Sequence, residues 1–186
     1  DYSTGSADVV IDLTKVQTST VESTYRVSND GYGNKEYIDG VENIITGSGD
    51  DIVYGDAEIN VITTGAGDDI IRGGAEADTI DGGTHTVDNS GTQSSSTPYT
   101  GKGDTVDYRS IASKITLVLE DGGATTNVKV GNTTADHTIA NIENIYGSNI
   151  GNDEITGNNL ANSILGFGGD DTIDGGAGSD YLDGGV

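Results

Sequence analysis

The sequence predicts an all-β fold of short strands set on tight glycine turns, and three observations predict it. Glycine supplies 30 of the 186 residues and proline only one, so the turns rely on backbones that accept left-handed conformations. Ile and Val dominate the apolar third of the chain and recur at regular spacing, which favours strands. A nine-residue pattern then repeats without gaps along two separate stretches.

The pattern is clearest at Gly175 to Asp183 (GGAGSDYLD), which Gly184-Gly185 follows at once. Stepping back by nines gives Gly166 to Asp174, Gly157 to Leu165 and Ser148 to Thr156. An earlier run obeys the same rule over Thr46 to Tyr54, Gly55 to Thr63, Thr64 to Arg72 and Gly73 to Asp81, and Gly82-Gly83 opens a fifth unit. Glycine at positions one, two and four allows a tight turn with inward-pointing carbonyls, and position six is Asp or Asn. The last three residues form a short strand whose middle aliphatic side chain faces a core. Val53, Ile62, Ile71 and Ile80 fill that place in one array, and Ile155, Ile164, Ile173 and Leu182 in the other.

Charge points the turns toward cations. The net charge is −23, from 31 acidic and 8 basic residues, and Asp outnumbers Glu by 23 to 8. A merely solvated acidic surface uses Glu as readily. Asp and Asn instead bond to nearby backbone and suit turns that hold an ion. With one Phe, no Trp and this much repulsion, the chain is expected to be disordered until a counter-ion neutralises it, and calcium is the natural candidate.

The eight in-phase units resemble the G-G-x-G-x-D-x-U-x nonapeptide of RTX (repeats-in-toxin) proteins. That resemblance implies a right-handed parallel β-roll, in which two nonapeptides complete a turn and equivalent loops recur every eighteen residues. Calcium would lie between stacked loops in a shell of six to eight oxygens. On this reading the side-chain ligands are Asp51, Asp69, Asp78, Asp104, Asp153, Asp171 and Asp180, with weak or empty sites at Asn60 and Asn162. The backbone carbonyls would come from Gly47, Gly49, Gly65, Gly67, Gly73, Gly74, Gly82, Gly83, Gly151, Gly166, Gly169, Gly175, Gly176 and Gly178.

A longer duplication overlies the short one. Asp1-Tyr2 matches Asp107-Tyr108, the strand Val9 to Leu13 matches Ile115 to Leu119, and Val41-Glu42-Asn43-Ile44 matches Ile142-Glu143-Asn144-Ile145. The chain therefore divides into a strand segment (1–40), a first array (41–83), an inserted surface loop (84–103), a resumed turn with further strands (104–141) and a second array (142–186). After the Ser/Thr-rich insertion the turn is expected to resume at Gly103, with Asp104 at position six and Val106 in the core, on the same stack as Asp51 and Asp69. Both ends fall within a motif, so the chain is expected to be a segment of a longer protein.

Other chemistry finds little support. There is no Cys, and none of the H-E-x-x-H, G-x-S-x-G or P-loop signatures occurs. His85 and His137, the only histidines, lie at no catalytic spacing and read as surface residues. Asn29 to Glu36 faintly resembles a calcium loop but lacks EF-hand spacing, so a polar turn is the default. The charge would repel nucleic acid and anionic membranes, and no apolar run approaches the roughly 18 residues of a membrane helix. Two functions remain: a calcium-rigidified structural module of a large secreted adhesin or surface-layer protein, or the calcium-binding tail of a secreted enzyme or toxin. The resemblance also implies type I export from a Gram-negative bacterium. The partners expected are calcium, the rest of the parent chain and, through uncovered strand edges, other copies end to end.

Overall fold

The computed structural model describes residues 1–15, 26–84, 103–131 and 136–186. Each nonapeptide yields a three-residue strand, because the glycine turn ends at position six and the next turn begins after position nine. In the first array these strands are β4 (Ile52–Tyr54), β5 (Val61–Thr63), β6 (Ile70–Arg72) and β7 (Thr79–Asp81). In the second they are β13 (Glu154–Thr156), β14 (Ser163–Leu165), β15 (Thr172–Asp174) and β16 (Tyr181–Asp183). The remainder are β1 (Val9–Asp12), β2 (Val27–Asp30), β3 (Asn43–Ile45), β8 (Thr105–Asp107), β9 (Ile115–Val118), β10 (Thr126–Val130), β11 (Asp136–Ala140) and β12 (Asn144–Tyr146).

Within the arrays successive strands alternate between two sheets, so a chain turn comprises two nonapeptides. Sheet A runs β16-β14-β12-β8-β6-β4-β1-β2, and sheet B runs β15-β13-β9-β10-β11-β7-β5-β3. Within the arrays all pairings are parallel and join residues eighteen apart, as in Val53↔Ile71, Ile62↔Ile80, Ile155↔Ile173 and Ile164↔Leu182. The fold is the calcium-roll architecture of the resembled family, all-β and without α-helix among the described residues.

The two arrays form one stack. β8 pairs with β6 through Ile71↔Val106, and β12 pairs with β8 through Val106↔Ile145. On sheet B, β9, β10 and β11 form an antiparallel meander whose outer strands continue the parallel stack, β11 onto β7 and β9 onto β13. Three strands thus stand where a regular roll has one, which lengthens sheet B locally by about 10 Å. The position-eight side chains make the core: Ile11, Val53, Ile71, Val106, Ile145 and Ile164 on one sheet face Ile44, Ile62, Ile80, Ile139, Leu117 and Ile155 on the other, all buried. Truncating one such Ile to Ala costs about 2–5 kcal/mol. The last layer is more open, with Leu182 46% exposed.

The long duplication holds in three dimensions. β1 and β9 each pair parallel with the first strand of the following array, and each carries an antiparallel neighbour. The single bridge Val27↔Glu36 has its twin in Val128↔His137, 101 residues on. Gly40 and Asn141, also 101 apart, both adopt positive φ, 62° and 54°. The difference is on the outer edge. β11 has β7 beside it, whereas the segment around Glu36 shows no such parallel neighbour among the described residues.

Candidate metal centre

The position-six carboxylates form columns along the roll, each tied to the turn before it. On sheet A, Val9 N donates to Asp51 Oδ1 (2.7 Å), Asp51 N to Asp69 Oδ1 (2.7 Å), Asp69 N to Asp104 Oδ1 (2.9 Å) and Asp104 N to Glu143 Oε2 (3.0 Å). In the second array Ile115 N donates to Asp153 Oδ1 and Asp153 N to Asp171 Oδ1, both at 2.8 Å. One oxygen of each carboxylate is thereby committed to the backbone. The other faces its own turn, and at Asp51, Asp69 and Asp171 this Oδ2 is buried with no hydrogen-bond partner. A buried polar atom left in that condition costs about 1–3 kcal/mol.

Where position one is Gly, its backbone packs close against the carboxylate. A Cβ at Gly73 would stand 2.1 Å from Asp78 Oδ2, at Gly166 2.2 Å from Asp171 Oδ2, and at Gly175 2.4 Å from Asp180 Oδ2. A side chain at position one would therefore collide with the carboxylate of Asp78, Asp171 or Asp180, whereas Thr46 and Thr64 hold that position before Asp51 and Asp69. Positions two and four let the turns stack: a Cβ at Gly65 or Gly67 would stand 2.1 Å from Gly47 O or 2.3 Å from Gly49 O, the carbonyls of the previous turn. Gly47 O accepts one hydrogen bond from Ala66 N at 2.8 Å and keeps a second lone pair.

Electrostatics shows what the columns lack. Buried Asp107 lies between two guanidinium groups, Arg72 Nη2 at 2.5 Å and Arg109 Nη2 at 2.9 Å; its carboxyl is held below the usual range despite burial, chiefly by Arg109 and then Arg72. Among the described residues no Lys or Arg pairs with Asp51, Asp69, Asp153 or Asp171. Burial pushes Asp51 and Asp153 upward, Asp69 to about 6 and Asp104 to about 9, the neighbouring carboxylates adding to the rise. An all-oxygen donor set of carboxylates and carbonyls, buried, anionic and without a protein cation, fits a hard divalent ion such as calcium.

A family model, the RTX calcium-binding nonapeptide repeat, matches residues 38–58, 54–84 and 147–182 in four copies. Those residues carry RTX calcium-binding repeats. No curated protein matches it. RTX nonapeptide repeats bind Ca2+ ions, and the matched residues carry Asp51, Asp69, Asp78, Asp153, Asp171 and Asp180.

Several RTX positions depart from the regular turn. Asn60 Oδ1 accepts Asp56 N and Asn162 Oδ1 accepts Asn158 N, each at 2.9 Å, so these amides reach back four residues to close their own turns. Asp153 differs from Asp171, because Ser148 N donates to its Oδ2 at 2.7 Å. Asp78 follows Asn60, whose N donates to its Oδ1 at 2.9 Å, and Asp180 likewise follows Asn162 at 3.0 Å. The turn after the insertion resumes with Gly103 N on Asp68 Oδ1 and Asp104 above Asp69. Residues 85–102 of the inserted loop, His85 among them, lie outside the described residues.

His137 is a correction to the sequence reading. It is 2% exposed, because β11 packs onto β7 and sets Nδ1 3.3 Å from Asp78 Oδ2 in the interior. The long separation between residues 78 and 137 hides that contact from the sequence. The Asn29–Asn34 segment is a self-satisfied polar turn: Asn29 Oδ1 accepts Gly31 N and Gly33 N, and Asp30 Oδ1 accepts Tyr32 N and Asn34 N.

Two sets of acidic residues escaped the sequence reading. Glu143 stands in the position-six column above Asp104 although its strand is not a nonapeptide; its recurrence in the Val-Glu-Asn-Ile duplication was the available signal. Position-five residues form a second ladder, with Asp50 N on Asp8 Oδ1 (3.1 Å), Asp68 N on Asp50 Oδ1 (3.0 Å) and Asp170 N on Asn152 Oδ1 (3.1 Å). The Asp-Asp pairs at 50–51, 68–69 and 170–171 carried that signal.

Proposed function

We propose that this RTX roll is a calcium-dependent folding and structural module of a large secreted protein of the adhesin or surface-layer type. The observation that carries the reading is the column of buried position-six carboxylates, each with one oxygen on the stacked backbone and, at Asp51, Asp69 and Asp171, the other without a partner. Such a column opposes its own burial until cations occupy it, so binding energy becomes folding energy. RTX repeat proteins are typically secreted by Gram-negative bacteria. Low cytosolic calcium would keep this chain open for type I export, and extracellular calcium would then close it. The internal duplication supports a tandem structural role over the tail of a secreted enzyme or toxin, since successive copies extend one stack. Within it, 41–83 and 142–186 would hold the ions and 104–141 would join them. Position-six Asp carboxylates and position-one, -two and -four glycine carbonyls would supply the ligands, with the Asn60 and Asn162 turns weakest.

The test is far-ultraviolet circular dichroism in chelator and then in calcium, with a metal count on the refolded chain. We expect little β-structure in chelator and several bound ions after refolding. Equal β-content in both, after verified metal removal, refutes the proposal.

A further inference from the structure

The joint between the arrays contains a buried cluster that the calcium columns do not explain. Because Thr79 pairs with Thr138, the residue stacked over Asp78 is His137, an imidazole where the neighbouring column carries a carboxylate. Asp78 Oδ2, His137 Nδ1 and the Tyr108 hydroxyl are all buried and all lack a hydrogen-bond partner. Nδ1 and Oδ2 are 3.3 Å apart, and the Tyr108 and His137 rings meet edge to face with centroids 5.7 Å apart. The Tyr108 phenol is pushed up by burial and by the Asp78 charge. Three unsatisfied groups in one interior place are uncommon in folded proteins and call for an occupant.

The internal twin clarifies the geometry. Tyr2 and Glu36 correspond to Tyr108 and His137, and there the Tyr2 hydroxyl donates to Glu36 Oε2. By this correspondence the Tyr108 phenol points toward the β11 position that His137 occupies, where an imidazole replaces the carboxylate acceptor. A nitrogen donor also makes the place unsuited to calcium, which takes oxygen ligands in sixes to eights. Zinc-like ions accept mixed nitrogen and oxygen sets at about 2.0–2.2 Å in a tetrahedron, whose ligand–ligand edge is then about 3.3–3.5 Å. The observed separation matches that edge.

We infer that Asp78 Oδ2, His137 Nδ1 and the Tyr108 hydroxyl form a site for one borderline divalent cation of the Zn2+ class, and that Asp78, although a position-six carboxylate, serves this ion in place of calcium. The ion would pin β7, the end of β8 and β11 together where the repeat is interrupted.

The experiment uses the whole chain folded in excess calcium and titrated with Zn2+ by calorimetry, and with Co2+ by visible absorption. One equivalent per chain, with the absorption of tetrahedral Co2+, is expected. His137→Gln should abolish it and Tyr108→Phe weaken it about tenfold or more, while both keep the calcium-dependent circular dichroism. His85→Ala should change nothing. Should His137→Gln fail to fold, Tyr108→Phe carries the test alone. No stoichiometric binding in excess calcium, the outcome of a cluster that holds only water, overturns the inference. So does binding that Tyr108→Phe leaves unchanged or that His85→Ala removes.

Discussion

Replacing Asp69 with Asn separates the two tasks of a position-six carboxylate. Asn keeps an oxygen for Asp51 N, which now lies 2.7 Å from Asp69 Oδ1, so the stack is retained. It loses the charge between Asp51 behind and Asp104 ahead. One charge-assisted contact contributes about 1.5–3 kcal/mol, so the ions on either side should each bind about 10- to 150-fold more weakly. Asp78 has Asn60 behind it and His137 ahead, so Asp78→Asn removes no carboxylate–carboxylate level and should weaken calcium by about threefold or less on the same scale. Without calcium the order reverses. Burial raises Asp69 from 3.8 to about 6, a shift of roughly two units that disfavours the ionised apo roll by about 3 kcal/mol. Asp69→Asn should therefore be no less structured in chelator than the parent chain. Calcium isotherms on the parent and both variants, read with circular dichroism, measure this. Equal calcium losses in the two variants would refute the assignment of the columns.

Acidity should act oppositely on the metal-free and metal-bound chain. Asp69 at about 6 and Asp104 at about 9 are raised above their unfolded value by burial, so the stability they lend the apo roll is present below about pH 4 and lost as pH climbs through 6 and 9. The chelated chain should show more β-structure at pH 4.5 than at pH 8, and calcium affinity should rise across the same window; flat profiles would count against burial as the cause of the raised values. Gly166→Ala places a Cβ 2.2 Å from Asp171 Oδ2. It should cost the second array at least one calcium and leave the first array's count intact, checked by metal analysis, whereas an unchanged count would show the turn has slack. Appending two nonapeptides of the Gly175 to Asp183 form should cover Leu182, raise the melting temperature at fixed calcium and reduce end-to-end association in light scattering. A chain that melts no higher would mean that added nonapeptides do not stack on β16.

The sequence by itself determined the repeating unit, because a nonapeptide must place its glycines, its acidic residue and its aliphatic residue in fixed order to turn and stack at all. From that alone came the all-β class, the phase of Asp51, Asp69, Asp153 and Asp171, the eighteen-residue recurrence and the core positions from Val53 to Leu182, all of them local or strictly periodic. Tertiary structure decided what periodicity cannot carry. The meander of β9, β10 and β11 interrupts the count, so the neighbours across it, Glu143 over Asp104 and His137 over Asp78, follow from strand pairing and have no fixed sequence spacing. Asn60 and Asn162 look like weakened copies of Asp, yet only the folded turn reveals their amides closing onto Asp56 and Asn158. His137 reads as a surface residue until β7 packs beside it, because burial belongs to the contact between strands and not to the residue.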